Sequence, residues 1–151
     1  MLKSVIIGQA PHKSAVKNFR PLIDGKCGYR LSETCGIEHE EYAQIFNTIN
    51  LIDEYMGKSG KGDYFPLKLA KEKASQIWPD LDSKYDIVIL AGKSVANAFG
   101  IKAEYFQWIK INDINLVVIP HPSGVNRWWN DDSNKEKAKQ FMRNLIKEIK
   151  Q

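Results

Sequence analysis

The sequence has no long hydrophobic run, and this absence excludes a class of protein. No apolar stretch of the 151 residues approaches the roughly 20 residues that a membrane-spanning helix needs. The segment that begins at Met1 also lacks the long apolar core and cleavage site of a signal peptide. We therefore expect an intracellular, cytoplasmic protein without a membrane partner.

Cysteine is also scarce, since only Cys27 and Cys35 occur. Two thiolates are too few for an iron–sulfur cluster, which usually takes four. In a reducing compartment we expect both to be free thiols rather than a disulfide. Internal repeats and low-complexity linkers are absent as well, so the length favours a single domain over residues 1–151, which we expect to be monomeric.

The chain is mildly basic, with a net charge of +4. This balance is compatible with a polyanionic partner, although many basic proteins bind no nucleic acid. Much of the positive charge lies near the C-terminus, where we interpret it as the solvated face of a helix. The residues concerned are Lys135, Lys137, Lys139, Arg143, Lys147 and Lys150.

Strands that alternate with helices predict an α/β fold with a mainly parallel sheet. Apolar and β-branched runs predict strands at residues 2–7, 45–52, 85–91, 105–111 and 115–119, the last two as a hairpin. Helices are predicted at residues 28–35, 38–44, 65–78, 93–100 and from a cap at Ser133 or Asn134 to about 150. Pro79 is expected to end the third helix, and residues 57–63 are predicted to form a loop.

Two polar turns follow predicted buried strands at opposite ends of the chain. Gly8-Gln9-Ala10-Pro11-His12 comes after the first strand, and His121-Pro122-Ser123-Gly124-Val125-Asn126-Arg127 comes after the last. Open α/β folds place their chemistry at the carboxyl ends of strands. We therefore expect the two turns to form one composite site.

His121 is the strongest single candidate within these turns. A lone histidine is more often structural, but this one lies between a buried strand and a Pro-Ser-Gly turn. Neutral imidazole can donate a hydrogen bond to a developing oxyanion. The glycines at Gly57 and Gly92 each precede a Lys-Ser pair but lack the upstream glycine of a phosphate-binding loop, so both indicate ordinary turns.

Carboxamides and aromatics supply further candidates. Asn50 stands at the end of a predicted strand, where its amide is costly unless paired and could read the edge of a base. Asn47 is the competing carboxamide. Trp128 and Trp129 are better interpreted as anchors of the last helix, and the alternative is stacking on bases with Arg127 on phosphate.

Together these motifs resemble the uracil-DNA glycosylase superfamily. The turn at residues 8–11 is similar to the family's water-positioning loop, and the turn at residues 121–127 is similar to the loop that enters the DNA minor groove. Asn50-Leu51-Ile52 resembles the strand end that recognises the pyrimidine. Pro21 to Gly25, with Gly28, resembles the segment that carries a base-stacking aromatic, and Tyr85 to Gly100 resembles the strand and helix before the second motif.

The resemblance implies a three-layer α/β/α sandwich with a central, mostly parallel four-stranded sheet. It also implies a DNA glycosylase that hydrolyses the N-glycosidic bond of a flipped-out uracil or modified pyrimidine. The partner would be DNA or a nucleotide, and no metal or other cofactor would be required.

The site residues follow by the same resemblance. His121 would stabilise charge on the departing base, Asn50 would pair with its edge, and Gln9 would hold the water. Substrate-binding positions would be Gly8, Ala10, Pro11, His12, Leu22, Asp24 and Asn47. DNA would be contacted by Pro122, Ser123, Gly124, Val125, Asn126 and Arg127.

Several positions depart from the family pattern. Classical members have Asp where this chain has Ala10, and another branch has Glu where it has Gln9, so water activation would fall to another acid such as Asp24. Leu22 stands in place of the stacking aromatic, unless Phe19 reaches the site and supplies that ring. These departures keep two alternatives open, a glycosidase for free or hypermodified nucleotides and a catalytically silent nucleobase- or DNA-binding module.

The remaining departure concerns base selection. His12 lies where classical members use Tyr to exclude the thymine methyl group. Imidazole is smaller than phenol, so the resemblance implies an altered base preference.

Overall fold

A five-stranded, mostly parallel sheet forms the centre of the protein, which the computed structural model describes at residues 1–11, 13, 17–60 and 62–151. The strands are β1 Ser4–Gly8, β2 Phe46–Asn50, β3 Lys58–Ser59, β4 Gly62–Asp63, β5 Ile87–Ala91, β6 Ile109–Ile111 and β7 Ile114–Ile119. The helices are α1 Gly25–Cys35, α2 His39–Ile45, α3 Leu67–Lys84, α4 Lys93–Ala98 and α5 Asp132–Lys150.

The order of the central sheet is β2-β1-β5-β7-β6. The first four strands are parallel, and β6 pairs antiparallel with β7. The hairpin predicted at residues 105–111 and 115–119 is confirmed as β6 and β7, so the sheet has five strands rather than the four that the resemblance implied. The register sets Gly8 opposite Asn50 and Ala91 opposite Ile119, so the carboxyl ends of the parallel strands meet at one edge.

Alternate residues of the strands enter two separate apolar layers. Val5 and Ile7 pack toward α3 and α4, whereas Ile6 packs toward α1, α2 and α5. The same alternation continues through β5 and β7, which are buried along almost their whole length. A sheet covered on both faces explains the near-continuous apolar runs of the sequence and confirms the predicted α/β/α sandwich. In the described part of the chain, no helix combines the length and apolarity needed to cross a membrane.

Helix α3 passes through Pro79 rather than ending at it, so that prediction was wrong. Proline costs a helix one backbone hydrogen bond and strains the preceding turn. Beyond it, however, Leu81 is only 3% exposed in the α3/α4 layer. Burial of that side chain offsets the cost, because burying a leucine contributes about 2 kcal/mol.

Two local assignments also differ from the predictions. Asp131 caps α5, since its Oδ1 accepts the backbone N–H of Asn134 at 3.0 Å, and neither Ser133 nor Asn134 is the cap. The predicted loop at 57–63 contains the short antiparallel pair β3 and β4. Such two-residue ladders have too little hydrophobic alternation to be found from a sequence.

Both cysteines lie on α1 as free thiols, as expected. Cys35 belongs to the core layer beneath α1 and α5. Burial there raises the pKa of its thiol to about 12, so this side chain behaves as a small apolar residue.

Gly28 is the position where α1 approaches the preceding turn most closely. A Cβ built there would lie 1.9 Å from the backbone oxygen of Ile23, which cannot move away as a side chain could. We expect Gly28→Ala to lower the free energy of unfolding by about 2–3 kcal/mol, as overpacking does. Gly124→Ala is the matched control, because nothing lies within 4 Å of its Cβ position. Urea denaturation that finds both variants equally stable would contradict this account of α1.

Candidate functional site

The carboxyl edge of the sheet brings the two polar turns together. Gly8 ends β1, Asn50 ends β2 and His121 follows β7. Asn50 and His121 are three strand positions apart, which at the usual spacing of about 4.8 Å per strand is roughly 14 Å between backbones. The two residues therefore stand at the same edge of the sheet, with β1 and β5 between their strands.

The end of β1 fixes the position of Asn50. The backbone oxygens of Gly8 and Gln9 accept the N–H groups of Leu51 and Ile52, each at 2.9 Å, so parallel pairing continues past the strands. A Cβ on Gly8 would lie 2.9 Å from Asn50 Oδ1. The glycine is therefore required for Asn50 to sit against β1.

A cavity of about 530 Å³ opens beside Asn50. Its wall combines aromatic, amide and charged groups. The lining residues are Pro11, Lys17, Asn18, Phe19, Pro21, Thr48, Ile49, Asn50 and Asp53. Phe19 thus supplies an aromatic ring to the wall, and Asp53 supplies a carboxylate.

Leu22 lies beneath this region instead of on the cavity wall. Its side chain is 6% exposed, and its Cδ1 lies 3.1 Å from where a Gly8 Cβ would stand. Its backbone has a φ of +59°, which costs a residue other than glycine about 1–2 kcal/mol. The buried hydroxyl of Tyr42 donates to the Leu22 carbonyl at 2.7 Å and stabilises this conformation.

The carboxylate of Asp24 is engaged in an ion pair. It accepts from Arg20 Nη2 at 2.9 Å, from Nε at 3.1 Å and from the Arg20 backbone N–H at 2.8 Å. These bonds from Arg20 hold the pKa of Asp24 below its usual value. Ala10, in the turn at residues 8–11, packs its methyl group against the α3/α4 layer.

One further predicted residue, Asn47, does not join this geometry. Asn47 pairs with Val5 near the opposite end of β2, and its Nδ2 donates to the Tyr85 hydroxyl at 3.1 Å. Three residues of strand separate it from Asn50, which is about 10 Å. His12 lies outside the described residues.

His121 is held in one tautomer by its own loop. The backbone N–H of Ser123 donates to His121 Nδ1 at 3.2 Å, so Nδ1 is unprotonated and the neutral ring carries its proton on Nε2. Burial lowers the pKa of His121 to about 4, with the Asp63 carboxylate acting in the opposite direction. At neutral pH the ring is therefore an uncharged hydrogen-bond donor through Nε2.

The loop after His121 is fixed by side chains that bind its carbonyl groups. Asn126 Nδ2 and Trp129 Nε1 both donate to the His121 oxygen at 2.8 Å. Arg30 Nη1, from α1, donates to the next two carbonyls, those of Pro122 and Ser123. Because both ends of the Asn126 amide are hydrogen-bonded within this segment, Asn126 stabilises the conformation of the loop.

The tip of the loop faces outward. Gly124 and Arg127 are exposed, and Val125 is 66% exposed, a large value for an apolar side chain. Pro122, by contrast, is buried. Trp129 is 3% exposed, which confirms its interpretation as an anchor in the core.

Sequence reasoning missed two residues of this region. Asp53 follows Asn50 by three residues, and a carboxylate just past a strand end is a signal that could have found it. Arg30 meets the loop across more than ninety residues of sequence and leaves no local signal. Within the described residues, no group of three or more His, Cys, Asp or Glu side chains has an arrangement that could hold a metal ion.

Comparison with known proteins agrees with this geometry at the level of the family. The family model described as the uracil DNA glycosylase superfamily matches residues 1–149. The search of curated proteins found no match.

The acid sensitivity of the fold provides a test of the lowered pKa of the half-buried His121. Its pKa is about 4 in the folded protein and near 6.5 when unfolded, so the unfolded chain binds more protons between these values. This contribution to stability is complete above pH 6.5 and is lost as the pH falls toward 4, by up to about 1.4 kcal/mol per pH unit. Urea denaturation of wild type and His121→Gln across this range should show the extra slope in the wild type alone. Parallel slopes would contradict a ring that stays neutral in the folded protein.

Proposed function

Because the chain belongs to the uracil DNA glycosylase superfamily, we propose that it hydrolyses the N-glycosidic bond of uracil or a modified pyrimidine in DNA. The superfamily supports a glycosylase-like function in general, and the finer assignment is argued from the site. We further propose that residues 1–151 act as one domain and as a monomer.

The hydrogen bond from Ser123 to His121 Nδ1 is the observation that carries this proposal. In base excision the bond between C1′ and the base nitrogen breaks, and its electron pair leaves with the base. The negative charge that develops on a pyrimidine O2 would be met by the Nε2–H of His121. A neutral donor held in a fixed orientation is well suited to this task, because it stabilises charge that exists only near the transition state.

Asn50 is the proposed reader of the base. Asn50 lines the cavity, and its carboxamide offers a donor and an acceptor together, which matches the edge of a pyrimidine. Phe19 on the same wall supplies an aromatic ring for stacking. Gln9, next to the fixed end of β1, would hold the attacking water.

The exposed tip of the second loop would contact DNA. Flipping a base leaves a gap in the stack, and an apolar wedge can fill it. Val125 has the exposure for this role, with Ser123 and Gly124 against the backbone and Arg127 near phosphate.

Water capture completes the reaction. After the base leaves, the sugar carries positive charge at C1′, water adds there, and one proton must be removed. Asp24 is engaged with Arg20, whereas Asp53 lines the cavity with Asn50. We therefore assign the supporting carboxylate to Asp53.

The apolar packing of Ala10 favours a second candidate, a nucleobase- or DNA-binding module without turnover. A chain without the carboxylate that classical members have at the position of Ala10 would keep its pocket and bind the base without hydrolysing the glycosidic bond. A glycosidase for free or hypermodified nucleotides is the remaining alternative, and a substrate panel separates all three.

Base release from oligonucleotides tests the proposal directly. Duplex and single-stranded oligonucleotides containing uracil, 5-hydroxymethyluracil or a mismatch should acquire alkali-labile sites. His121→Ala should lower the rate on the order of 100-fold, the cost of an oxyanion donor. Asn50→Ala should lower kcat/KM at least about tenfold, or roughly 1.4 kcal/mol. Asn47→Ala is the matched control. Asn47 lies on the same strand as Asn50, but its amide donates to the Tyr85 hydroxyl and it does not line the cavity.

Other results would redirect the assignment. Release of base from free nucleotides but not from oligonucleotides would identify the substrate as a free nucleotide. Tight binding of oligonucleotides with no release of any base would support the silent module.

A carboxylate comparison tests the assignment of Asp53. We expect Asp53→Asn to lower kcat about tenfold or more, because it removes the acceptor for the water proton. Asp24→Asn should leave kcat within about twofold, since an exposed ion pair contributes little. Single-turnover base release measures both, and the reverse order of effects would return the role to Asp24.

A further inference from the structure

Arg30 lies on α1, outside both polar turns, and is half-buried. Its Nη1 donates to the backbone oxygens of Pro122 at 3.2 Å and Ser123 at 3.1 Å. Its guanidinium carbon also lies 5.2 Å from the ring centre of Trp129, the residue that donates to the His121 carbonyl. Arg30 therefore contacts the loop at two successive peptide groups and at one of its anchors.

One peptide group connects Arg30 to His121. The carbonyl of Pro122 and the N–H of Ser123 belong to the same planar unit. Arg30 donates to the oxygen of this unit, and the N–H at its other side donates to His121 Nδ1. A cation on the carbonyl polarises the unit, so the N–H becomes a stronger donor toward the imidazole.

The loop has few other ways to hold this geometry. Gly124 has nothing within 4 Å of its Cβ position, and Val125 projects outward. Asn126 and Trp129 belong to the same segment as the loop. Among the described residues, three side chains bind these carbonyls, and of these only Arg30 comes from another element, the helix α1.

We propose that Arg30 is a positioning residue that acts on His121 through the Pro122–Ser123 peptide group. It keeps Nδ1 as a hydrogen-bond acceptor and thereby presents the Nε2–H to the site. The consequence for catalysis rests on the proposed function, whereas the tautomer is a property of the protein alone.

Nitrogen-15 NMR of histidine-labelled protein tests the tautomer without any substrate. The chain has only three histidines, so His121→Gln assigns the signal. The wild type should show the Nε2–H form, and Arg30→Met should show a mixture of both neutral forms. Arg30→Gln, which keeps a neutral donor, should lie between them. Arg143→Met removes the same charge from an exposed position on α5 and should leave the signal unchanged.

Base-release kinetics supply the second readout. Arg30→Met should lower kcat about tenfold, with KM and its salt dependence nearly unchanged. A cation that merely attracts DNA would instead change KM and flatten its salt dependence, with kcat preserved.

The outcomes decide the inference separately from the proposed function. A folded Arg30→Met protein with the wild-type tautomer overturns it. If this variant does not fold, Arg30→Gln is measured in its place. A wild-type tautomer in Arg30→Gln would likewise overturn the role of Arg30. A wild-type protein that releases no base defeats the proposed function, and the NMR comparison then still decides the role of Arg30.

Discussion

Parallel pairing of four buried strands is the constraint on which the rest of the structure depends. Because β2, β1, β5 and β7 run in one direction, their carboxyl ends meet at a single edge. Each end then carries a different group, with Asn50 as the last residue of β2 and His121 just after β7. The apolar layers on both faces make this register costly to shift, since a slip of one residue would turn core side chains to the wrong face.

At this edge, His121 is oriented by a hydrogen bond from the backbone of its own loop. His121 is neutral at neutral pH because partial burial lowers its pKa, and it is oriented because the Ser123 N–H donates to Nδ1. The opposite side of that peptide group is bound by Arg30. The arrangement resembles the general way in which proteins orient imidazole, through a partner on the nitrogen that does not react.

Much of the fold could be predicted because strands buried on both faces leave continuous apolar runs in the sequence. Residues 85–91 and 115–119 predicted two central strands for this reason, and both are confirmed at β5 and β7. The errors arose where tertiary contacts override a local preference. Pro79 did not end α3, because Leu81 beyond it is buried. The hairpin of β6 and β7, by contrast, was predicted from its apolar runs and is confirmed.

The sequence by itself determined the order of motifs, the strand ends that carry Asn50 and His121, and the absence of a carboxylate at Ala10. These follow from residue identity and from periodicity along the chain. Only the tertiary structure decided which groups meet. It separated Asn47 from Asn50, engaged Asp24 with Arg20, placed Asp53 at the cavity and brought Arg30 to the loop. Such contacts join residues that are distant in sequence, and they are set by how helices pack on the sheet, which no local pattern encodes.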